Sequence, residues 1–114
     1  MSYRDIDRLE LIAELIGHVQ RRLAGKSQDE FLRDQDEMDL TSFRMMHIGE
    51  ASHKLSAALK ARQPHIPWSA IYAMRNVISH DYFGVNATTV WHAATTELDG
   101  LLLLCREELS RLSE

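Results

Sequence analysis

The chain has 114 residues, of which 45% are hydrophobic, and a formal net charge of -4 at neutral pH. This size and composition suffice for one domain with a continuous core, and an acidic chain is not expected to coat nucleic acid non-specifically. The single cysteine, Cys105, excludes an internal disulfide, no basic N-terminal start leads into an apolar segment, and no apolar run approaches the ~20 residues of a membrane span. We therefore expect a soluble protein of the reducing cytoplasm.

The charges are distributed unevenly along the chain. Between Ser27 and Ser42, six acidic residues accompany one base, Arg33. Between Phe43 and His80 the balance reverses, and a single acid, Glu50, accompanies five cations: Arg44, Lys54, Lys60, Arg62 and Arg75. This reversal indicates either a mildly basic surface near the centre of the chain or ordinary solvated helix faces.

Two helices are predicted in the first third of the chain. From Tyr3 to Ala24, apolar residues recur at intervals of three and four, which indicates one long helix that Gly25 ends. The segment Ser27 to Glu30 matches a capping box, so a short helix begins there and ends near Asp34. We interpret the acidic run after Asp34 as a connection leading into the next helix, with acids placed favourably at the N-terminus of that helix.

A second long helix is predicted from Leu40 to Arg62, because the apolar spacing continues without a proline. Gly49 inside it costs about 1 kcal/mol relative to alanine, and a glycine at such a position indicates that another backbone comes close. His47, Glu50 and Lys54 share one polar strip of this helix, which faces either a functional site or water.

Two further helices follow. Pro64 and Pro67 break the chain, and the stripe from Trp68 to Ile78 then indicates a fourth helix. A last helix is predicted from Ala87 to Leu112, with Asn86 as its N-cap and Cys105 on its apolar stripe as a small buried hydrophobe.

No segment alternates with a period of two over a strand's length. The fold predicted is therefore all-α. We expect an antiparallel up-and-down helical bundle of four main helices plus a short extra helix, forming a single domain over residues 1–114.

The segment from Met74 to Gly84 is the candidate functional centre. It brings five kinds of polar group into eight residues: Arg75, Asn76, His80, Asp81 and Tyr82. A buried helix end has no need of these groups, because each must find a partner or remain in water.

If the helix continues to His80, Arg75 and His80 point roughly 140° apart. The two side chains then meet only if the helix end frays, if the long arginine reaches across, or if two copies of the chain face each other. A histidine that moves a proton and an arginine that holds a phosphate suit cleavage of RNA through the ribose 2'-hydroxyl. The alternative is structural, an arginine–aspartate pair and an asparagine that cap the helix end, with His80 satisfied locally.

The motif resembles that of a known family. The segment from Met74 to Val85, with arginine, four residues, histidine, any residue and tyrosine, is similar to the signature of the HepT-like toxins of the HEPN superfamily. The entry Ile66-Pro67-Trp68 and the stretch Ile48-Gly49-Glu50-Ala51 resemble the same family, and the likeness extends over nearly the whole chain in helix order and length.

This resemblance implies a dimeric toxin that is a metal-independent ribonuclease without a cofactor, paired with a nucleotidyltransferase antitoxin of the MntA type. It assigns Arg75 and His80 to the catalytic pair, and Asn76 and Asp81 to polar motif positions. Glu50 matches an auxiliary acid on the second long helix.

The resemblance also implies that the antitoxin adds AMP to Tyr82. Such a group beside His80 would place bulk and negative charge where an RNA phosphate must lie. The rival hypothesis is a non-catalytic helical module that binds a nucleotide or a partner protein through the same patch.

Overall fold

The computed structural model of the protein describes residues 3–80 and 86–112. In this part of the chain it contains no strand and the following helices: α1 (Tyr3–Leu23), α2 (Gln28–Leu32), α3 (Gln35–His53), α4 (Ala57–Arg62), α5 (Trp68–His80), α6 (Ala87–Thr96) and α7 (Leu98–Leu112). The predicted all-helical bundle is confirmed. None of these helices is long and apolar enough to cross a membrane within the described residues.

Local signals place the first two helices as predicted. Gly25 follows α1 with a φ of 78°, a left-handed conformation that glycine adopts without steric cost. The capping box is formed in both directions, since Ser27 Oγ accepts from the Glu30 amide and Glu30 Oε1 accepts from the Ser27 amide. Interpreting the following acidic run as a connection was wrong, because Asp34 caps α3 by accepting from the Glu37 amide.

The prediction of one continuous helix from Leu40 to Arg62 was also wrong. The helix is interrupted between α3 and α4, where Ser56 caps α4 by accepting from the Leu59 amide. Two residues of α1 hold this break: Asp5 accepts from the Ser56 amide at 2.9 Å, and Arg8 donates to the Lys54 carbonyl at 2.7 Å. In a continuous helix, the Ser56 amide and the Lys54 carbonyl would bond to other backbone groups of that helix. Asp5 and Arg8 supply their partners instead, so the helix can stop here without leaving these groups unsatisfied.

The last predicted helix likewise consists of two pieces, α6 and α7, that meet at Glu97. Just before the break, the hydroxyls of Thr95 and Thr96 donate to the carbonyls of Trp91 and His92. Hydroxyls that bond back to carbonyls four residues earlier compete with the helical backbone and bend helices. Asn86 caps α6 as predicted.

The core lies between α1, α3, α6 and α7, and α2 closes it with Phe31, whose ring centroid lies 5.2 Å from that of Trp91. Two nearly inaccessible carboxylates are paired with arginines, Glu37 with Arg22 at 2.7 Å and Glu108 with Arg62 at 3.0 Å. Cys105 is fully buried, and this burial raises the pKa of its thiol to about 12, which confirms it as a core residue.

Candidate active site

The candidate site lies along the contact between α5 and α3, which run antiparallel. Their register is visible in three places: Tyr72 lies against His53, Arg75 lies against Gly49, and Ile78 shares a surface depression with Met46. In this register, the part of the motif that begins at Arg75 packs against the second half of α3.

Gly49 makes the close crossing of the two helices possible. A Cβ atom at this position would lie 2.6 Å from the Cβ of Arg75 and 3.0 Å from the carbonyl oxygen of Ile71. Both are atoms of the α5 framework, so neither can swing aside as the end of a long side chain could. The expectation that Gly49 admits a neighbouring backbone is confirmed.

Two neighbours hold the side chain of Arg75. Its Nε lies 2.7 Å from Oε2 of Glu50, and its Nη1 donates to Oδ1 of Asn76 at 3.0 Å. The Nε makes no well-directed hydrogen bond, so its contact with Glu50 is an ion pair. About a quarter (26%) of the whole side chain remains exposed, while its Nε is buried.

Glu50 is shared between two cations. Its Oε1 lies 3.3 Å from Nζ of Lys54, one turn further along α3. The hydrogen bond from Lys54 and the nearby charge of Arg75 lower the pKa of Glu50, against the opposing effect of burial. Glu50 is therefore a stable anion that orients the arginine.

Three of the predicted site residues thus come together: Arg75, Asn76 and Glu50. The backbone of α5 remains helical as far as His80, so positions 75 and 80 keep the roughly 140° divergence of a regular helix. The side chain of His80 lies outside the described part of the structure, as do Asp81 and Tyr82.

The polar strip predicted on α3 is split. Glu50 and Lys54 belong to the candidate site, whereas His47 is exposed and packs its ring on Phe43, with centroids 4.4 Å apart.

Sequence reasoning missed His53 and Tyr72. Their rings stack at 3.7 Å with planes 12° apart, and the Tyr72 ring centroid lies 5.9 Å from the guanidinium carbon of Arg75. The spacing of Tyr72 three residues before Arg75 was the available signal.

The basic surface expected near the centre of the chain is only partly formed by the predicted residues. Arg62 pairs with Glu108 instead of facing the site, while Arg8 from α1 joins the end of α3 through the Lys54 carbonyl. Lys60 donates to the His53 carbonyl at 2.9 Å. The cations therefore gather where α3 ends.

The other end of the α3–α5 contact has a different character. There an open depression of about 540 Å³ is lined by four apolar residues and two acids: Leu40, Phe43, Met46, Ile78, Asp36 and Asp39. Carboxylates repel phosphate, so this end does not suit a nucleic-acid backbone. Among residues 3–80 and 86–112, no group of three or more His, Cys, Asp or Glu could hold a metal ion.

Comparison with known proteins places the chain in a family. The family described as "Ribonuclease HepT-like" matches residues 12–108. The chain is 30% identical over 95 residues to "Probable ribonuclease HepT" of Thermococcus cleftensis, covering 83% of this chain and 86% of that protein. It is 28% identical over 103 residues to "Putative RNase TTE0752" of Caldanaerobacter subterraneus, covering 90% and 92% of the two chains.

Other relatives are longer than this chain or match a shorter part of it. The chain is 27% identical over 106 residues to "Gamma-glutamylcyclotransferase and putative RNase MJ0434" of Methanocaldococcus jannaschii, which covers 93% of this chain but 46% of that protein. The chain thus spans about half the length of this relative. No solved structure matches it significantly.

Proposed function

Because the chain belongs to the HepT-like ribonuclease family, we propose that it is the toxin component of a toxin–antitoxin pair, a cytoplasmic endoribonuclease. The observation that carries this proposal is the side chain of Arg75, about a quarter exposed, which Glu50 and Asn76 hold in place on the helix that ends at His80. A guanidinium held in one position is suited to bind a phosphodiester.

In the proposed reaction, His80 removes the proton of a ribose 2'-hydroxyl. The 2'-oxygen then attacks the adjacent phosphorus, the bond to the 5'-oxygen breaks, and that oxygen takes a proton from water, to which His80 returns the proton that it removed. The products are a 2',3'-cyclic phosphate and a 5'-hydroxyl. Arg75 stabilises the negative charge that grows on the phosphoryl oxygens, so the step needs no metal ion as a co-reactant.

Glu50 and Asn76 act in this proposal as positioning residues. Each contacts Arg75 directly, and together they restrict a long side chain that would otherwise sample many rotamers. Asp81 is proposed as a further polar member of the site on the strength of its place in the motif.

We assign the active form to a homodimer. Positions 75 and 80 diverge on α5, so the arginine of one copy and the histidine of the other can share a phosphate across a twofold axis. Exposed apolar side chains are available for such an interface, since Val77 on α5 and Phe43 on α3 are each about half exposed, at 52% and 54%. Burial of apolar surface between two copies would favour association.

Control of the toxin is proposed to occur at Tyr82, through transfer of AMP by a nucleotidyltransferase antitoxin of the MntA type. The added phosphate would carry negative charge two residues from His80 and compete with RNA for Arg75. In this scheme the antitoxin inhibits by covalent chemistry.

The direct test uses a labelled single-stranded RNA and purified protein in excess chelator. We expect the wild type to cut the RNA, and His80→Ala and Arg75→Ala to lose roughly 100- to 10,000-fold in rate. His92→Ala and Arg106→Ala replace exposed residues of α6 and α7 and serve as matched controls that keep full activity. Equal cutting by the wild type and His80→Ala would overturn the proposal.

A second candidate, a non-catalytic nucleotide-binding module, is favoured by the stacked His53–Tyr72 pair beside Arg75. The proposed cleavage does not use this pair, whereas aromatic rings commonly provide a stacking surface for a base. Under this alternative, the wild type binds nucleotides through the same patch and leaves every RNA intact.

A further inference from the structure

The stacked pair of His53 and Tyr72 is a feature that the proposed reaction does not use. The rings lie nearly parallel, with centroids 3.7 Å apart, so one face of the imidazole is covered by the phenol ring. His53 is exposed while Tyr72 is half-buried. Because Tyr72 covers one face of the imidazole, the exposed surface of His53 comes from the rest of the residue, and Tyr72 supports the ring on the covered side.

This pair lies next to the candidate site. Tyr72 precedes Arg75 by one turn of α5, and the guanidinium carbon lies 5.9 Å from the Tyr72 ring centroid, within the range of a cation–π contact. Arg75, Tyr72 and His53 thus form a continuous series from the proposed phosphate site to the surface at the end of α3. A nucleotide next to the phosphate at Arg75 is within reach of His53.

The charges around His53 suit a nucleic-acid backbone. The side chain of Lys54 is 53% exposed. Arg8 and Lys60 bind the last carbonyls of α3, where the negative end of the helix dipole would otherwise repel phosphate. The neighbouring acids are Glu50, already shared between two cations, and Asp5, which is buried and bound to the Ser56 amide.

The opposite direction along α3 leads to the depression that Asp36 and Asp39 help to line. A phosphate backbone that leaves Arg75 is repelled there and attracted towards Lys54. The charges therefore favour one direction for an RNA strand bound at Arg75, the direction that passes over His53.

We propose that the face of the His53 ring away from Tyr72 stacks on one unpaired base of the RNA, beside the cleaved phosphodiester, with Lys54 at the phosphate of that nucleotide. This inference rests on the proposed ribonuclease function and adds its substrate class, single-stranded RNA. A base in a duplex is already stacked and paired, so it has no free face to offer, whereas aromatic side chains bind unpaired bases of any sequence.

The test measures binding in a His80→Ala background, in which the RNA stays intact. A fluorescent oligoribonucleotide is made as a series, each member lacking the base at one position. We expect one position, next to the bond that the wild type cuts, where loss of the base weakens binding by roughly 5- to 100-fold. With His53→Ala added, affinity for the full oligonucleotide falls by a similar factor and base removal at that position has no further effect.

Matched variants separate stacking from other changes. His53→Phe keeps an aromatic face and should keep the dependence on that base, while His92→Ala removes an exposed histidine from α6 and should change nothing. Lys54→Gln should weaken binding and reduce its salt dependence, and Arg106→Gln on α7 should not. Thermal unfolding confirms that each variant is folded.

The outcomes distinguish this inference from the function on which it rests. If the wild type cuts RNA and His53→Ala leaves the pattern of base dependence unchanged, the stacking site is overturned and the ribonuclease stands. If a duplex of the same sequence shows the same dependence on His53, the assignment to unpaired RNA is overturned. If the wild type cuts no RNA, both proposals fail together.

Discussion

The Cα of Gly49 faces the side chain of Arg75 so closely that a methyl group on Gly49 would lie 2.6 Å from the arginine Cβ. The helix that carries the proposed catalytic arginine can therefore approach α3 only where α3 has no side chain. The same approach brings Glu50, the next residue, within ion-pair distance of the guanidinium. Packing and site geometry are thus set by one contact.

Gly49→Ala is expected to destabilise the protein and to displace Arg75. Overpacking at a rigid contact costs about 1–3 kcal/mol, which exceeds the gain of about 1 kcal/mol that alanine brings to a helix interior. Urea unfolding measures the net effect. Gly100→Ala is the control, because a Cβ at Gly100 in α7 meets nothing within 4 Å; it should stabilise slightly. A Gly49→Ala protein at least as stable as the wild type would contradict this account.

Glu50→Gln is expected to slow RNA cleavage by roughly 10- to 100-fold, because the arginine loses the charge that orients it. The effect should fall on kcat more than on KM if the orientation matters mainly in the transition state. Steady-state kinetics measure this split. Glu107→Gln, an exposed substitution on α7, is the control. Unchanged kinetics would show that Asn76 alone suffices to hold Arg75.

The pairing of Glu37 with Arg22 predicts a dependence of stability on pH. The hydrogen bond from Arg22 lowers the pKa of Glu37 below its usual value of 4.5. A depressed pKa in the folded state contributes stability that is fully present above pH 4.5 and is lost as the pH falls through the folded value. Glu37→Gln should therefore lower the free energy of unfolding at neutral pH, by about 1–3 kcal/mol.

The difference between Glu37→Gln and the wild type should shrink as the pH drops below 4.5, and urea unfolding at several pH values measures it. The exposed Glu107→Gln variant should track the wild type throughout. A constant difference from pH 7 to pH 3 would show that the ion pair does not cause it.

Mixing two inactive variants tests the shared site. In a mixed dimer of Arg75→Ala and His80→Ala, one of the two sites receives both residues intact if each site draws them from different copies. Random exchange then restores roughly a quarter of wild-type activity. If both residues act within one copy, mixing restores none. Analytical ultracentrifugation confirms that the mixed sample is dimeric.

Tyr82→Phe is expected to retain cleavage activity and to escape inhibition. Incubation with ATP and the nucleotidyltransferase should raise the intact mass of the wild type by one AMP group and abolish cutting. The phenylalanine variant lacks the acceptor oxygen, so its mass and activity should not change. Inhibition of Tyr82→Phe without a mass change would indicate simple docking of the partner.

Local chemistry along the sequence predicted much of the fold. Three local features depend only on residues that are close in sequence: the capping box at Ser27 and Glu30, the left-handed Gly25 and the cap at Asn86. Such features can be predicted without a tertiary structure. Arg75 and Asn76, which contact each other as sequence neighbours, were singled out differently, by the density of polar groups in their segment and by the resemblance of the motif.

The sequence by itself determined the helical class, the apolar faces and the motif, because these depend on spacing along one chain. Only the tertiary structure decided where α3 ends, since Asp5 and Arg8 reach that point from 46 or more residues away. It also decided that Glu50 orients Arg75 and that His53 stacks on Tyr72. These contacts depend on the register of α5 against α3, which follows from packing between helices.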